Sequence, residues 1–161
     1  MIKKSMRFII IAGVIIAILG LFGYTYSADV SALDNAGITI RDIRIQEINL
    51  IDPNPHCNLI IFIDISNPSN QDITGLTADF DVFITNNYVG SGSVSKISIP
   101  AQSSKEKEVS LTIYFFDVAA AVKDVIINGN FIISIKGYAS GDVLFGLITI
   151  TDQISASKSY P

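Results

Sequence analysis

His56 and Cys57 are neighbours, and each is the only residue of its type among 161. Imidazole beside thiol could start a metal site or a nucleophile–base pair. A structural zinc needs four such ligands, and the chain has no others to add. The pair therefore reads as a strand-entry residue followed by a small buried one, the usual place of a free cysteine. A lone cysteine also forbids an intrachain disulfide. No Gly-x-Ser-x-Gly elbow is present, and the serines and lysines are scattered without a focus. Asp79 and Asp81 stand two apart, so on a strand they share a face as paired carboxylates could. A solvated face explains them better, because an outward strand face carries polar residues, and no calcium loop with its glycine and terminal Glu surrounds them. Gly90-Ser91-Gly92 lacks the Lys-Ser/Thr of a phosphate loop and lies between strands. Asn67 is followed by Pro68, which removes it as a glycosylation acceptor, and the absence of Trp disfavours a sugar-stacking platform. The expectation is a non-enzyme with no catalytic residue, no cofactor and no metal.

The elements around these residues have a period of two. Ile38 and Ile40, then Ile43 and Ile45, then Ile48 and Leu50 alternate with polar residues. The slips of register between them predict a bulge or a break. Asp52-Pro53-Asn54-Pro55 stops that strand. Asn58–Ser66 is apolar on both faces, through Leu59, Ile61, Ile63, Ile65 and through Ile60, Phe62, as a central strand would be. Leu76–Thr85 alternates most cleanly. Asn86-Asn87 suits a two-residue turn, with Tyr88–Ser95 returning; Gly90 and Gly92 inside it imply a bulge or a close backbone approach. After Ile97, Ile99 and Pro100, Gln102–Lys107 reads as a polar loop, and Glu108–Phe116 as the next strand. Asp117 is placed to cap a short helix whose Val118, Ala121, Val122, Val125 and Ile126 follow the helical period. Asn128-Gly129 ends it. Strands Asn130–Ala139 and Asp142–Ile154 would meet at a Ser140-Gly141 turn, leaving Ser155–Pro161 frayed. Seven or eight short strands with turns between them predict an all-β antiparallel sandwich with one inserted helix.

Ahead of this domain lies an uncharged run, Phe8–Ala28. As a helix at about 1.5 Å per residue it spans roughly 31 Å, against a hydrocarbon core of about 30 Å. Its isoleucines, leucines and valines lie all round, so it needs lipid. Tyr24 and Tyr26 fall near its far end, where aromatic rings favour the interface. Lys3, Lys4 and Arg7 precede it. Eight basic and fifteen acidic residues follow, a net of −7. The positive-inside bias then puts residues 1–7 in the cytoplasm as a basic stub, 8–28 across the membrane, 29–37 in a polar linker and the sandwich, 38–154, outside. A signal peptide cut after Ser27 is the competing reading, but the apolar run exceeds the usual 7–15 residues and no Ala-x-Ala stands at the boundary. The acidic exported part repels phosphate backbones, which excludes nucleic acid as a partner.

The order of parts resembles the late embryogenesis abundant group 2 family, also called the water stress and hypersensitive response domain. The resemblance rests on Asn67-Pro68-Ser69-Asn70 closing a strand, Leu76–Thr85, Tyr88-Val89-Gly90-Ser91-Gly92, Ile99-Pro100-Ala101, the helix at 118–127 and Gly137 in the strand after it. It covers about residues 38–152. It implies an immunoglobulin- or fibronectin type III-like sandwich with one helix, a single membrane helix ahead of it, an association with desiccation or other stress, and no catalytic residues. Asn67, Pro68, Gly90, Gly92, Pro100 and Gly137 carry over as structural positions only. The chain departs from the hydrophilic character of a soluble protectant.

Three functions compete at this level. The first is a membrane-tethered binding or protective module with envelope proteins as partners. The second is a lipid-binding or lipid-transfer domain whose apolar groove would use Ile60, Phe62, Phe83, Tyr114 and Phe116. Covering those residues with a second packed layer is the plainer account. The third is a subunit of a cell-surface assembly joined through strand edges.

Overall fold

The computed structural model describes residues 2–51 and 53–161; Met1 and Asp52 lie outside the described residues, as do the side chains of residues 2–11. The basic stub at 1–7 and the first residue of the Asp52–Pro55 stop therefore rest on the sequence. Helix α1 (Ile2–Asp34) is unbroken, and its stretch Ala12–Asp34 is long and apolar enough to cross a membrane. Gly13, Gly20 and Gly23 have no neighbour within 4 Å, and the side chains from Gly13 to Tyr24 are exposed. Thr25 donates its hydroxyl to Leu21 O at 2.9 Å, which satisfies a polar group without water.

Seven strands follow: β1 (Gly37–Asn49), β2 (His56–Asn67), β3 (Ile73–Ile84), β4 (Asn87–Ile99), β5 (Ser103–Tyr114), β6 (Phe131–Val143) and β7 (Ile148–Tyr160), with helix α2 (Ala120–Asn128) between β5 and β6. They form two antiparallel sheets, β1-β2-β5 and β4-β3-β6-β7. The expected all-β sandwich with one short helix is what the chain builds. β2 is central in its sheet, as its two apolar faces require. β1 is one strand with irregularities at Ile40/Asp42 and Ile45/Glu47, so the slips of its isoleucine pattern are bulges rather than a break.

Leu59, Ile61, Ile63 and Ile65 of β2 face Val82, Ile84, Ile133 and Ile135 of the other sheet in one buried core. Val122 and Ile126 of α2 join it, so the helix adds a buried apolar face to the sandwich.

Six local expectations are corrected. The polar linker at 29–37 does not form as one: Asp29–Asp34 stay helical, and only Asn35 and Ala36 separate α1 from β1. Ala32 and Leu33 pack on the sandwich, and that burial extends the helix. The first hairpin of the larger sheet turns at Thr85-Asn86, both at positive φ, one residue earlier than Asn86-Asn87. The polar stretch Gln102–Lys107 is strand from Ser103, because β2 offers it a complete ladder, Asn67 against Ser103 through Ile63 against Lys107. Asp117 does not cap α2. Its own N–H is spent on Tyr114 O in the turn after β5, and Ala119 takes the cap position without a side-chain bond. Ser140-Gly141 is not a turn; β6 runs on to Val143 and the reversal is Leu144–Leu147. The tail is not frayed: residues 155–160 pair with β6, and Tyr160 stacks on Phe131 at 4.8 Å between ring centroids.

Candidate functional site

On the outer face of the larger sheet the register lines up two polar ranks. Ser93, Asp79, Tyr138 and Gln153 stand abreast on β4, β3, β6 and β7, and Ser91, Asp81, Lys136 and Ser155 stand abreast in the next rank. Between the ranks lie Gly92, Phe80, Gly137 and Ile154. Phe80 turns inward and is buried. A Cβ on Gly92 would come within 2.7 Å of the Phe80 ring, and one on Gly137 would sit 2.1 Å from Asp79 O and 2.5 Å from Phe80 Cα. The two glycines let three strands close up around one phenylalanine. That close approach is the physical use of glycine inside a strand.

The result is an open trough of about 1140 Å³ running across the strands, with Glu108 and Ser110 of β5 on its rim. Three carboxylates, Asp79, Asp81 and Glu108, face one ammonium, Lys136, whose Nζ lies 5.5 Å from the centre of the Phe83 ring. Such a surface can hydrogen-bond and attract a cationic or polyhydroxylated group. Among the described residues no three His, Cys, Asp or Glu side chains are grouped to hold a metal ion. His56 is far from the trough in the pairing scheme; it opens β2, its Nδ1 lies 2.8 Å from Asn54 O, and its ring is 6.0 Å from that of Tyr114. Cys57 is fully buried, and burial pushes its thiol up to about 11. A thiol held neutral is a poor nucleophile.

The positions carried by the family resemblance have structural surroundings. Asn67 is buried, with 1% exposure. Its Nδ2 donates to Gln71 O (2.7 Å), Ile99 O (3.2 Å) and Pro100 O (3.1 Å), while its Oδ1 accepts from Ser69 N (3.1 Å) and Ser69 Oγ (2.7 Å). One amide thus ties the Pro68–Asp72 loop to the β4–β5 turn at Pro100. Gly90, at φ 156, leaves room for Leu111, whose Cδ1 would lie 2.6 Å from an added Cβ.

The five residues proposed to face lipid do not come together. Ile60 and Phe62 belong to the three-stranded sheet, where the Arg44 guanidinium covers the Phe62 ring at 4.5 Å. Phe83 lies on the other sheet beside Tyr88. Tyr114 and Phe116 are exposed where β5 ends. A mainly apolar hollow bounded by Leu33, Ile38, Ile65, Leu76 and Ile154, with Asp34 and Asp152 at its edge, measures about 70 Å³, whereas ligand pockets run to roughly 300–1,000 Å³.

Sequence reasoning missed two features. The trough was signalled only by the strand glycines, Gly92 and Gly137. The seating of α1 had no local signal at all: Leu33 occupies the space above Gly141, with Cδ2 2.3 Å from where a Cβ would be, and the Asp29 carboxylate accepts from Leu144 N at 2.9 Å. Asp142, nearby on β6, is held below the usual carboxylate range by the hydrogen bond and charge of Lys96, at 2.7 Å.

No protein-family model matches the chain, and no curated protein does. Solved structures match its fold. The solution structure of AT1g01470 from Arabidopsis thaliana superposes with a TM-score of 0.52 at 14% identity, over 76% of this chain and 82% of that one. The X-ray structure of the structural genomics target SoR45 gives 0.51 at 10%, over 76% and 86%. A solution structure described as a late embryogenesis abundant (LEA) protein, At2g46140.1, gives 0.45 at 13%, over 92% and 83%. For the first two the likeness is one of fold alone.

Proposed function

We propose that the protein is a non-enzymatic, membrane-tethered module of the late embryogenesis abundant group 2 type. In this reading α1 crosses the membrane once, the sandwich stands outside the cytoplasm, and the polar trough is its binding face. One observation carries the reading: the apolar helix is exposed from Gly13 to Tyr24 and then joins a docked sandwich across only Asn35 and Ala36. An exposed helix of that composition is stable in lipid, and the docking holds the domain close to the surface. Lys3, Lys4 and Arg7 ahead of the span support the direction of insertion. The role in desiccation or envelope stress rests on the family resemblance.

The test is protease protection of a tag placed after Pro161, in intact cells and in inverted vesicles. Digestion from outside the intact cell is the expected result; a tag accessible only from the cytoplasmic side overturns the reading. Crosslinking to envelope components that is lost on Asp79→Ala with Asp81→Ala supports the trough as the binding face; crosslinking unchanged by the pair argues against it. The lipid-transfer alternative is disfavoured by the small apolar cavity, and no specific observation favours the surface-assembly alternative.

A further inference from the structure

The turn between β6 and β7 has the wrong chemistry for water. Leu144, Phe145 and Gly146 all have positive φ, at 51°, 59° and 83°. Turns that need this conformation use Asn, Asp or Gly, because a side chain with bulk clashes there. Here two of the three positions are Leu and Phe. Water does not reward the choice: Phe145 is 81% exposed and Leu147 73%, and neither contributes to the core. Gly146 N and Leu147 N close the turn on Val143 O and Leu144 O, so the apolar side chains are held outward on a defined loop.

The position of this turn supplies the occupant. Leu144 N donates to the carboxylate of Asp29, the first charged residue after the apolar run that ends at Ala28. The turn is therefore level with the end of that run, within about 8 Å along the helix axis of Tyr24 and Tyr26, which are exposed on α1. Leu33 seated over Gly141 fixes the same alignment from the other side.

We infer that the β6–β7 turn is a second membrane contact, in which Phe145 and Leu147 enter the interfacial layer of the bilayer that α1 crosses. Aromatic and aliphatic side chains at that depth gain burial while the backbone of the turn stays in the headgroup region. With two contacts the sandwich has a fixed tilt and presents one chosen face outward. The inference rests on the reading of α1 as a membrane span.

The absence of Trp makes the test direct. Full-length protein carrying Phe145→Trp, Leu19→Trp or Tyr88→Trp is reconstituted in vesicles of phosphatidylcholine with and without brominated acyl chains. Tyr88 follows the turn at the opposite end of the larger sheet. The expected result is blue-shifted emission and quenching by bromine at positions 19 and 145, and neither at 88. Quenching at 19 with none at 145 overturns the second contact and leaves the span standing. Quenching at 145 with none at 19 supports the turn's insertion and overturns the span. Quenching at neither position overturns both. A double variant, Phe145→Ser with Leu147→Ser, keeps the fold testable without apolar tips; lowered protection of Gly146 and its neighbours from solvent exchange in vesicles, relative to the unaltered protein, is expected.

Discussion

Asn67 allows the most complete test of how the sandwich is tied together. Replacing it by Ala removes five contacts at hydrogen-bond distance, shared among two amide protons, the Ser69 N–H and one Ser69 hydroxyl proton, and their losses are unequal. Pro100 O keeps the hydroxyl of Ser103 at 2.7 Å, and Gln71 O keeps that of Ser69 at 2.9 Å. The uncompensated damage falls on Ser69 N, which is left without a partner, while Ile99 O in the β3–β4 ladder loses one bond at a site 1% exposed. A buried group left unpaired costs about 1–3 kcal/mol and an ordinary lost bond about 1. The sum is roughly 2–4 kcal/mol. For a chain of this size each kcal/mol lowers Tm by about 2–4 °C, so a fall on the order of 10 °C is expected. The assay is thermal unfolding of the full-length protein in detergent, followed by the β-sheet circular dichroism. Asn67→Asp sharpens it. The shape is kept, but an acceptor replaces the amide donor that faces three carbonyls, so this variant should melt below Asn67→Ala. An Asp variant as stable as the unaltered protein, or an Ala variant within about 0.5 kcal/mol of it, would refute the reasoning, since Asn67 would then act by shape alone.

Two further outcomes follow from the packing. Gly137→Ala pushes a methyl group into the backbone of β3 at Asp79 O and Phe80 Cα, which cannot move as a side-chain tip could; destabilisation at or above the usual ~1–3 kcal/mol of overpacking is expected. Gly20→Ala, with open space around it, should stay within about 0.5 kcal/mol by the same melt. Cys57 should resist thiol reagents in the folded protein and react once it unfolds. Its raised pKa also has a sign: above about 9 the unfolded thiol ionises while the folded one stays protonated up to about 11. Stability should therefore fall as pH rises through that window, and Cys57→Ser, measured over the same range, should lose part of the slope.

The strands whose side chains alternate were legible from residue order because one face must leave water and the other must not. Leu59 to Ile65 and Leu76 to Ile84 announce their faces, and the core is built from them. The exposed helix was legible for the same reason, since nothing in so small a chain could cover it. Wherever pairing with a distant strand supplied the stability, local reading failed. The Lys- and Glu-rich start of β5 is held by its ladder to β2 and carries no apolar pattern of its own, while the serine-rich end of β7 pairs with β6 and turns only Ile154, Ala156 and Tyr160 inward, a pattern too sparse to read locally.

Glycine shows the division most clearly. Gly129 could be placed from sequence because it ends a helix in the left-handed conformation, a local demand. Gly141 read as a turn because Ser-Gly usually is one; in fact it makes room for Leu33, more than a hundred residues away in the chain. Gly92 and Gly137 make room for Phe80, and both line the trough. Residue order determined which segments bury and where the long apolar helix lies. Which backbones meet, and so the trough, the seating of α1 and the apolar turn beside Asp29, was decided only by the tertiary structure, because close approach depends on partners that no local pattern encodes.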